Sequence, residues 1–188
     1  MTAPDLLKPS TKYRLRIEDY LTLDRAGAFA GQRTELIDGD VIIMNAEFRP
    51  HGYMKTQLGL AIQQALVTHP SGLAVLIDTS IGLPPTDAPL PDIVVTSEPR
   101  GEGVIPLASI AFVVEVAAST LAKDFQLKAA LYARHRIPEY WVADVEGKVM
   151  HQLWAPEGEA YAQRREVAFG ERIEAVTVAG LVVELPST

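Results

Sequence analysis

The sequence predicts an α/β (α+β) domain: a mixed β-sheet flanked by helices, with a β-rich C-terminal extension. Three observations lead to it. Ile110–Ala118 is almost wholly apolar, as in a central strand covered on both faces. Residues 51–68 place Met54, Leu58, Ala61, Ile62, Ala65 and Leu66 at the i, i+3, i+4 spacing of an amphipathic helix. Asp38-Gly39 separates two β-prone runs, a strong short-range hairpin signal.

Taken in order, residues 1–12 read as a flexible tail with two prolines, and residues 13–188 as one domain. Ile17 to Ala26 has helical spacing, with Ile17, Tyr20, Leu21 and Leu23 apolar. The hairpin runs from Thr34 to Met44, and the second helix follows. A strand is expected from Leu73 to Leu83. The stretch 84–91 holds four prolines, which cannot sit inside a sheet, so it is a loop. It leads into a short strand, Asp92–Thr96. Residues 97–108 form a second loop before the strand 110–118. Ser119 and Thr120 can cap the next helix, which runs to about Arg136 and is closed by Pro138. Glu139–Asp144 is the next strand. Three more are expected near 148–154, 160–168 and 173–184. There is no internal repeat or low-complexity tract.

A chain of 188 residues is one typical domain with a sizeable core. The absence of cysteine excludes disulfides and thiolate metal sites. The N-terminus lacks the basic and apolar regions of a secretory signal, and no stretch approaches the ~20 apolar residues of a membrane span. The expectation is a cytoplasmic protein without a membrane partner. The net charge of −7 argues against a protein that coats nucleic acid by bulk electrostatics. It does not argue against an enzyme whose carboxylates are kept for metal ions.

The most informative residue is Glu115, inside the apolar run 110–118. A carboxylate in a buried strand is costly unless it is paired, hydrogen-bonded or bound to metal. Asp92, Val94 and Thr96 share one strand face, so on neighbouring strands Asp92 and Glu115 point into the same cleft. Two hard oxygen ligands there suit Mg²⁺ or Mn²⁺. Lys128 lies on the following helix, on one stripe with Asp124 and Tyr132. It is either a solvated partner of Asp124 or an ammonium that holds water or phosphate. Lys123 competes for that role but is rotated ~140° from Lys128. Glu35 is either an exposed hairpin residue or a further acid of the site. His51, at the start of the second helix, can cap it or touch phosphate, although a lone histidine is more often structural. His69, His135 and His151 have no metal-ligand spacing.

Together these residues resemble a known family. Glu35-Leu36-Ile37-Asp38-Gly39-Asp40, Pro91-Asp92-Ile93-Val94, Val113-Val114-Glu115-Val116-Ala117, Asp124 with Lys128 and Tyr132, and Pro138-Glu139-Tyr140-Trp141 carry it. The order and spacing are similar to the Uma-type restriction-endonuclease-like proteins, a branch of the PD-(D/E)XK nuclease superfamily. The likeness spans roughly residues 15–184. It implies a four-stranded mixed core sheet with flanking helices. The superfamily's Pro-Asp falls on Pro91-Asp92, its second acid on Glu115 and its early acid, less directly, on Glu35. The motif lysine two residues beyond the second acid is replaced by Ala117, and the Uma-type pattern moves it to the next helix, at Lys128. His135-Arg136 also departs from the pattern, as an expected surface change at a helix end.

The resulting expectation is a Mg²⁺- or Mn²⁺-dependent nuclease acting on nucleic acid, with DNA foremost. Asp92, Glu115 and the Val116 carbonyl ligate the metal, Lys128 orients water and stabilises charge on phosphate, and Glu35 completes the site. The alternatives are a catalytically inactive nucleic-acid- or protein-binding regulator, and a homodimeric interaction domain joined through its C-terminal strands.

Overall fold

In a computed structural model, residues 12–117 and 121–187 are described, those from 121 to 126 by their backbone alone. Most of the expected tail, the caps Ser119 and Thr120, and the side chains of Lys123 and Asp124 therefore lie outside the described residues.

Helix α1 (Ile17–Arg25) buries Ile17 and Tyr20. Strands β1 (Thr34–Ile37) and β2 (Asp40–Ile43) pair antiparallel around a two-residue turn. Asp38 and Gly39 both have positive φ, 50° and 75°, as a type I′ hairpin requires. A Cβ on Gly39 would stand 2.7 Å from Arg14 Cβ, so glycine also permits the chain to cross there. The hairpin docks through Leu36, which is fully buried and exchanges backbone hydrogen bonds with Ala88 of the proline-rich loop.

Helix α2 (Arg49–Val67) follows, then β3 (Ala74–Ile77), β4 (Ile81–Gly82), β5 (Ile93–Thr96) and β6 (Ile105–Pro106). Next come β7 (Ile110–Ala117), α3 (Leu121–Arg134), β8 (Glu139–Asp144), β9 (Val149–Glu157), β10 (Ala160–Ala168), β11 (Arg172–Glu174) and β12 (Val182–Glu184). The main sheet has six strands in the order β10-β9-β8-β7-β5-β3. Only β7 and β8 pair in parallel, across the α3 crossover; the other neighbours are antiparallel.

Three segments differ from the sequence expectation. The strand expected over 73–83 is broken at Asp78, whose φ of 51° is left-handed, and β4 leaves the sheet to pair with β6. Aspartate tolerates that conformation better than most residues. The loop expected over 97–108 thus contains a short strand and a 3₁₀ turn, Leu107–Ser109. The strand expected over 173–184 is the separate hairpin β11–β12. The first two misses share a cause, the pairing of β4 with β6 some 24 residues on, whereas the third is a local hairpin that splits one apparent strand into two.

Period-2 alternation gives the sheet two apolar faces. On one, Ile93, Val95, Phe112 and Val114 pack under Met54, Leu58 and Ile62 of α2, with the β11–β12 hairpin beside it. On the other, Val94, Val113, Tyr140 and Val142 pack under Leu131 and Tyr132 of α3. Glu139 has no exposed surface, yet its carboxylate accepts hydrogen bonds from Trp141 Nε1 (2.6 Å), Gln152 Nε2, Thr177 N (2.8 Å) and Thr177 Oγ1 (2.7 Å). A buried acid so fully satisfied is a clasp: it ties the C-terminal hairpin segment to the sheet.

Candidate functional site

The register of β5 against β7 pairs Ile93 with Val114 and Val94 with Val113. One step further along the same ladder, Asp92 lies across from Glu115. Both are in phase with the Val94–Val113 face, the side covered by α3. Asp92 is 7% exposed. Its Oδ2 accepts the Val116 N–H at 2.7 Å, which latches the loop end onto β7. Val116 thus meets Asp92 through its amide N–H.

The Glu115 carboxylate meets α3. Tyr132 donates its hydroxyl to Oε1 at 2.7 Å, and Lys128 Nζ lies 3.4 Å from the same oxygen. The four-residue spacing of Lys128 and Tyr132 puts both on the helix face that covers the sheet. Lys128 also donates to Glu35 Oε2 at 2.7 Å, and Leu90 N–H reaches that oxygen at 3.3 Å. Glu35 is 8% exposed, so it is an interior residue and not a solvated hairpin acid. Burial pushes the Glu115 carboxyl up to about 7; Lys128 and Tyr132 oppose the rise, while Asp92 and Glu35 add to it. Burial works against the Lys128 charge too, but Glu115 and Glu35 outweigh it and raise the ammonium above the usual lysine range.

A second set of side chains reaches Asp92 from α2. His51 Nε2 stands 3.1 Å from Asp92 Oδ2, and its Nδ1 is 3.4 Å from Glu47 Oε2. Lys55 is 5% exposed; it pairs with Glu47, lies 2.9 Å from Asp78 and 3.6 Å from Asp92. Arg33 bridges Glu47 at 2.6 Å and Asp78 at 2.9 Å. The hydrogen bond that His51 donates to Asp92 raises the His51 pKa against its burial. Burial would raise Glu47, but Lys55 and Arg33 bring its carboxyl down to about 2. Ligand atoms of Glu47, His51 and Asp92 all lie within 4.8 Å of one another.

The sequence-predicted residues therefore fall into two adjoining groups. Glu35, Glu115 and Lys128 form one. Asp92 joins the other through His51 while sharing the β5–β7 ladder with Glu115. Sequence reasoning missed Glu47, Lys55, Asp78 and Arg33. Lys55 carried a signal: on α2 it falls with His51 and Met54 on the buried side. His51 does not cap α2, whose N-cap is Phe48. The expectation of a surface change at His135 needs correction. His135 Nε2 lies 3.0 Å from Oδ2 of buried Asp87, and Arg134 bridges Asp87 and Asp38 at 3.1 and 2.6 Å. The end of α3 is thereby pinned to the hairpin and the proline-rich loop.

Comparisons with known proteins agree with this architecture. The family model described as "Uma2: Putative restriction endonuclease" matches residues 17–186, and the chain belongs to that family. A crystal structure of "a putative nuclease belonging to DUF820" from Anabaena variabilis ATCC 29413 superposes with a TM-score of 0.69 at 13% identity. The match covers 90% of this chain and 94% of that one. At that identity the likeness speaks for the fold. No curated protein matches the chain. Among the described residues, no helix is long and apolar enough to cross a membrane.

Proposed function

We propose that this member of the Uma2 family is a Mg²⁺- or Mn²⁺-dependent nuclease that hydrolyses phosphodiester bonds of DNA. The observation that carries the reading is Glu115. This carboxylate is kept in an interior strand, across from Asp92, with an ammonium 3.4 Å away. A cation suits that donor set: Asp92 and Glu115 are hard oxygen acids one step beyond the last paired residues of β5 and β7, and burial lifts Glu115 to about 7. Asp92, Glu115 and the Val116 carbonyl would hold it. When bound, such an ion polarises phosphate oxygens and lowers the pKa of water.

The chain's own residues divide the remaining work. Tyr132 fixes the Glu115 carboxylate by its hydrogen bond. Glu35 holds the Lys128 ammonium beside it. Lys128 orients the attacking water and meets the charge that develops on phosphate. Water adds to phosphorus as the P–O ester bond breaks, leaving a phosphate monoester and a hydroxyl end.

One observation favours a second placement of the cation. Glu47, His51 and Asp92 offer a nitrogen and two carboxylates within 4.8 Å, a mixed set that suits Mn²⁺ better than Mg²⁺. Calorimetric titration of Mn²⁺ into His51→Ala and Glu115→Gln separates the two: the variant that loses affinity names the ligand set. Activity is tested on plasmid and single-stranded DNA with Mn²⁺ or Mg²⁺. Cleavage lost in both Asp92→Asn and Glu115→Gln is the expected result. DNA binding without cleavage by the wild-type chain would favour the regulator reading.

A further inference from the structure

We propose that the outward face of α2 is a two-fold interface through which two copies of this chain pair, with Leu60 on the axis. The face is a stripe of Tyr53, Leu60 and Val67, which are 64%, 60% and 74% exposed. Their spacing of seven residues drifts only ~20° per step around a helix, so they form one line along it. Met54, Leu58 and Ile62 bury the opposite side against the sheet, which leaves the stripe pointing away from the core.

The stripe is symmetric about Leu60. Tyr53 and Val67 lie seven residues to either side, Thr56 and Gln64 four, Gln57 and Gln63 three. An isologous contact requires that residue i meet j while j meets i. Antiparallel α2 helices satisfy it: Leu60 meets Leu60, Tyr53 meets Val67, and the glutamines face one another across the seam. A helix of 19 residues offers ~28 Å of length for this contact.

Charge selects the occupant. The 22 residues from Thr56 to Ile77 contain no Asp, Glu, Lys or Arg, in a chain that is 22% charged and carries a net charge of −7. Two copies of so acidic a protein repel unless they meet where no like charges face each other. The α2 face provides such a place. By contrast, the edge strand β10 carries Arg164, Arg165 and Glu166 and is defended against strand pairing. A membrane surface would call for Lys or Arg along the polar side of α2, and Lys55 is turned into the core.

The full chain has no cysteine, so single introduced thiols report the pairing directly. Sedimentation at tens of micromolar is expected to give a dimer, and Leu60→Glu a monomer with unchanged circular dichroism and melting temperature. Under mild oxidation Leu60→Cys should cross-link to itself. Tyr53→Cys alone should not, because its copy is ~21 Å away along an antiparallel pair, one span of fourteen residues at 1.5 Å each. The double variant Tyr53→Cys/Val67→Cys should cross-link. A monomeric wild type, a Leu60→Glu protein that stays dimeric, or binding to neutral vesicles without self-association would each overturn the proposal.

Discussion

Lys128→Met keeps the length and apolar stem of the side chain and deletes its charge. The ammonium stands 2.7 Å from Glu35 and 3.4 Å from Glu115. At an effective dielectric of about 20 these separations correspond to attractions of roughly 6 and roughly 5 kcal/mol. Desolvation of the lysine offsets most of that, and removing one partner of a buried ion pair costs about 3–5 kcal/mol. The three side chains retain 19%, 11% and 17% of their surface, and Glu115 at about 7 can take up a proton in place of the lost partner. Both facts place the cost at the lower end, about 3 kcal/mol. For a domain of this size that is a fall in Tm of roughly 6–12 °C. Urea unfolding with a chelator present is the assay. Adding Glu35→Gln should then cost less than it does in the wild type, with a coupling of about 1–3 kcal/mol. In the cleavage assay Lys128→Met should lose about 10²–10³ in kcat, as when one charge-stabilising donor is removed, with Mn²⁺ binding retained. A variant within about 0.5 kcal/mol of wild type, in the range of an ordinary surface substitution, would refute the electrostatic argument. Cleavage at the wild-type rate would refute the catalytic one.

Asp92→Ala should destabilise by about 1–3 kcal/mol, because the Val116 N–H loses its acceptor, whereas Asp92→Asn keeps an oxygen there and stays within about 1 kcal/mol; melts in chelator compare them. Both should weaken Mn²⁺ binding at least about tenfold, the range seen when a metal site loses one of its supporting groups. The Asp87 carboxyl is held below its usual range: burial alone would raise it, but His135, the Asp38 N–H and Arg134 outweigh that. Since the folded pKa is the lower one, its contribution is complete above the unfolded value near ~4 and is lost as pH falls through the folded value. Asp87→Asn should therefore be less stable than wild type at pH 7 and converge with it in acid, as urea unfolding at both pH values will report. Glu139→Gln sets an amide against donors from Trp141 and Thr177 and should cost about 3–5 kcal/mol, with faster proteolysis after residue 170 as the readout.

How much was legible in the sequence differs from residue to residue. Glu115 stood out because a carboxylate in an apolar run contradicts its surroundings, and such a contradiction is visible locally. Asp92 and Lys128 were found by alternation and helical spacing, which are also local, and Asp38-Gly39 announced its turn because the I′ geometry demands those residue types. Glu47, Asp78 and Arg33 gave no such sign. In sequence they are ordinary polar residues of loops and turns, and they converge only because the left-handed break at Asp78 and the start of α2 bring them to Asp92. The interior position of Glu35 depends on the hairpin docking over the proline-rich loop through Leu36 and Ala88, a contact 52 residues apart along the chain. By itself the sequence determined the helices, the central strands and the misfit of Glu115, since these follow from side-chain pattern along a short stretch. Only the tertiary structure decided which charges neutralise one another, because Coulomb attraction depends on distances that chain pairing, not local pattern, sets.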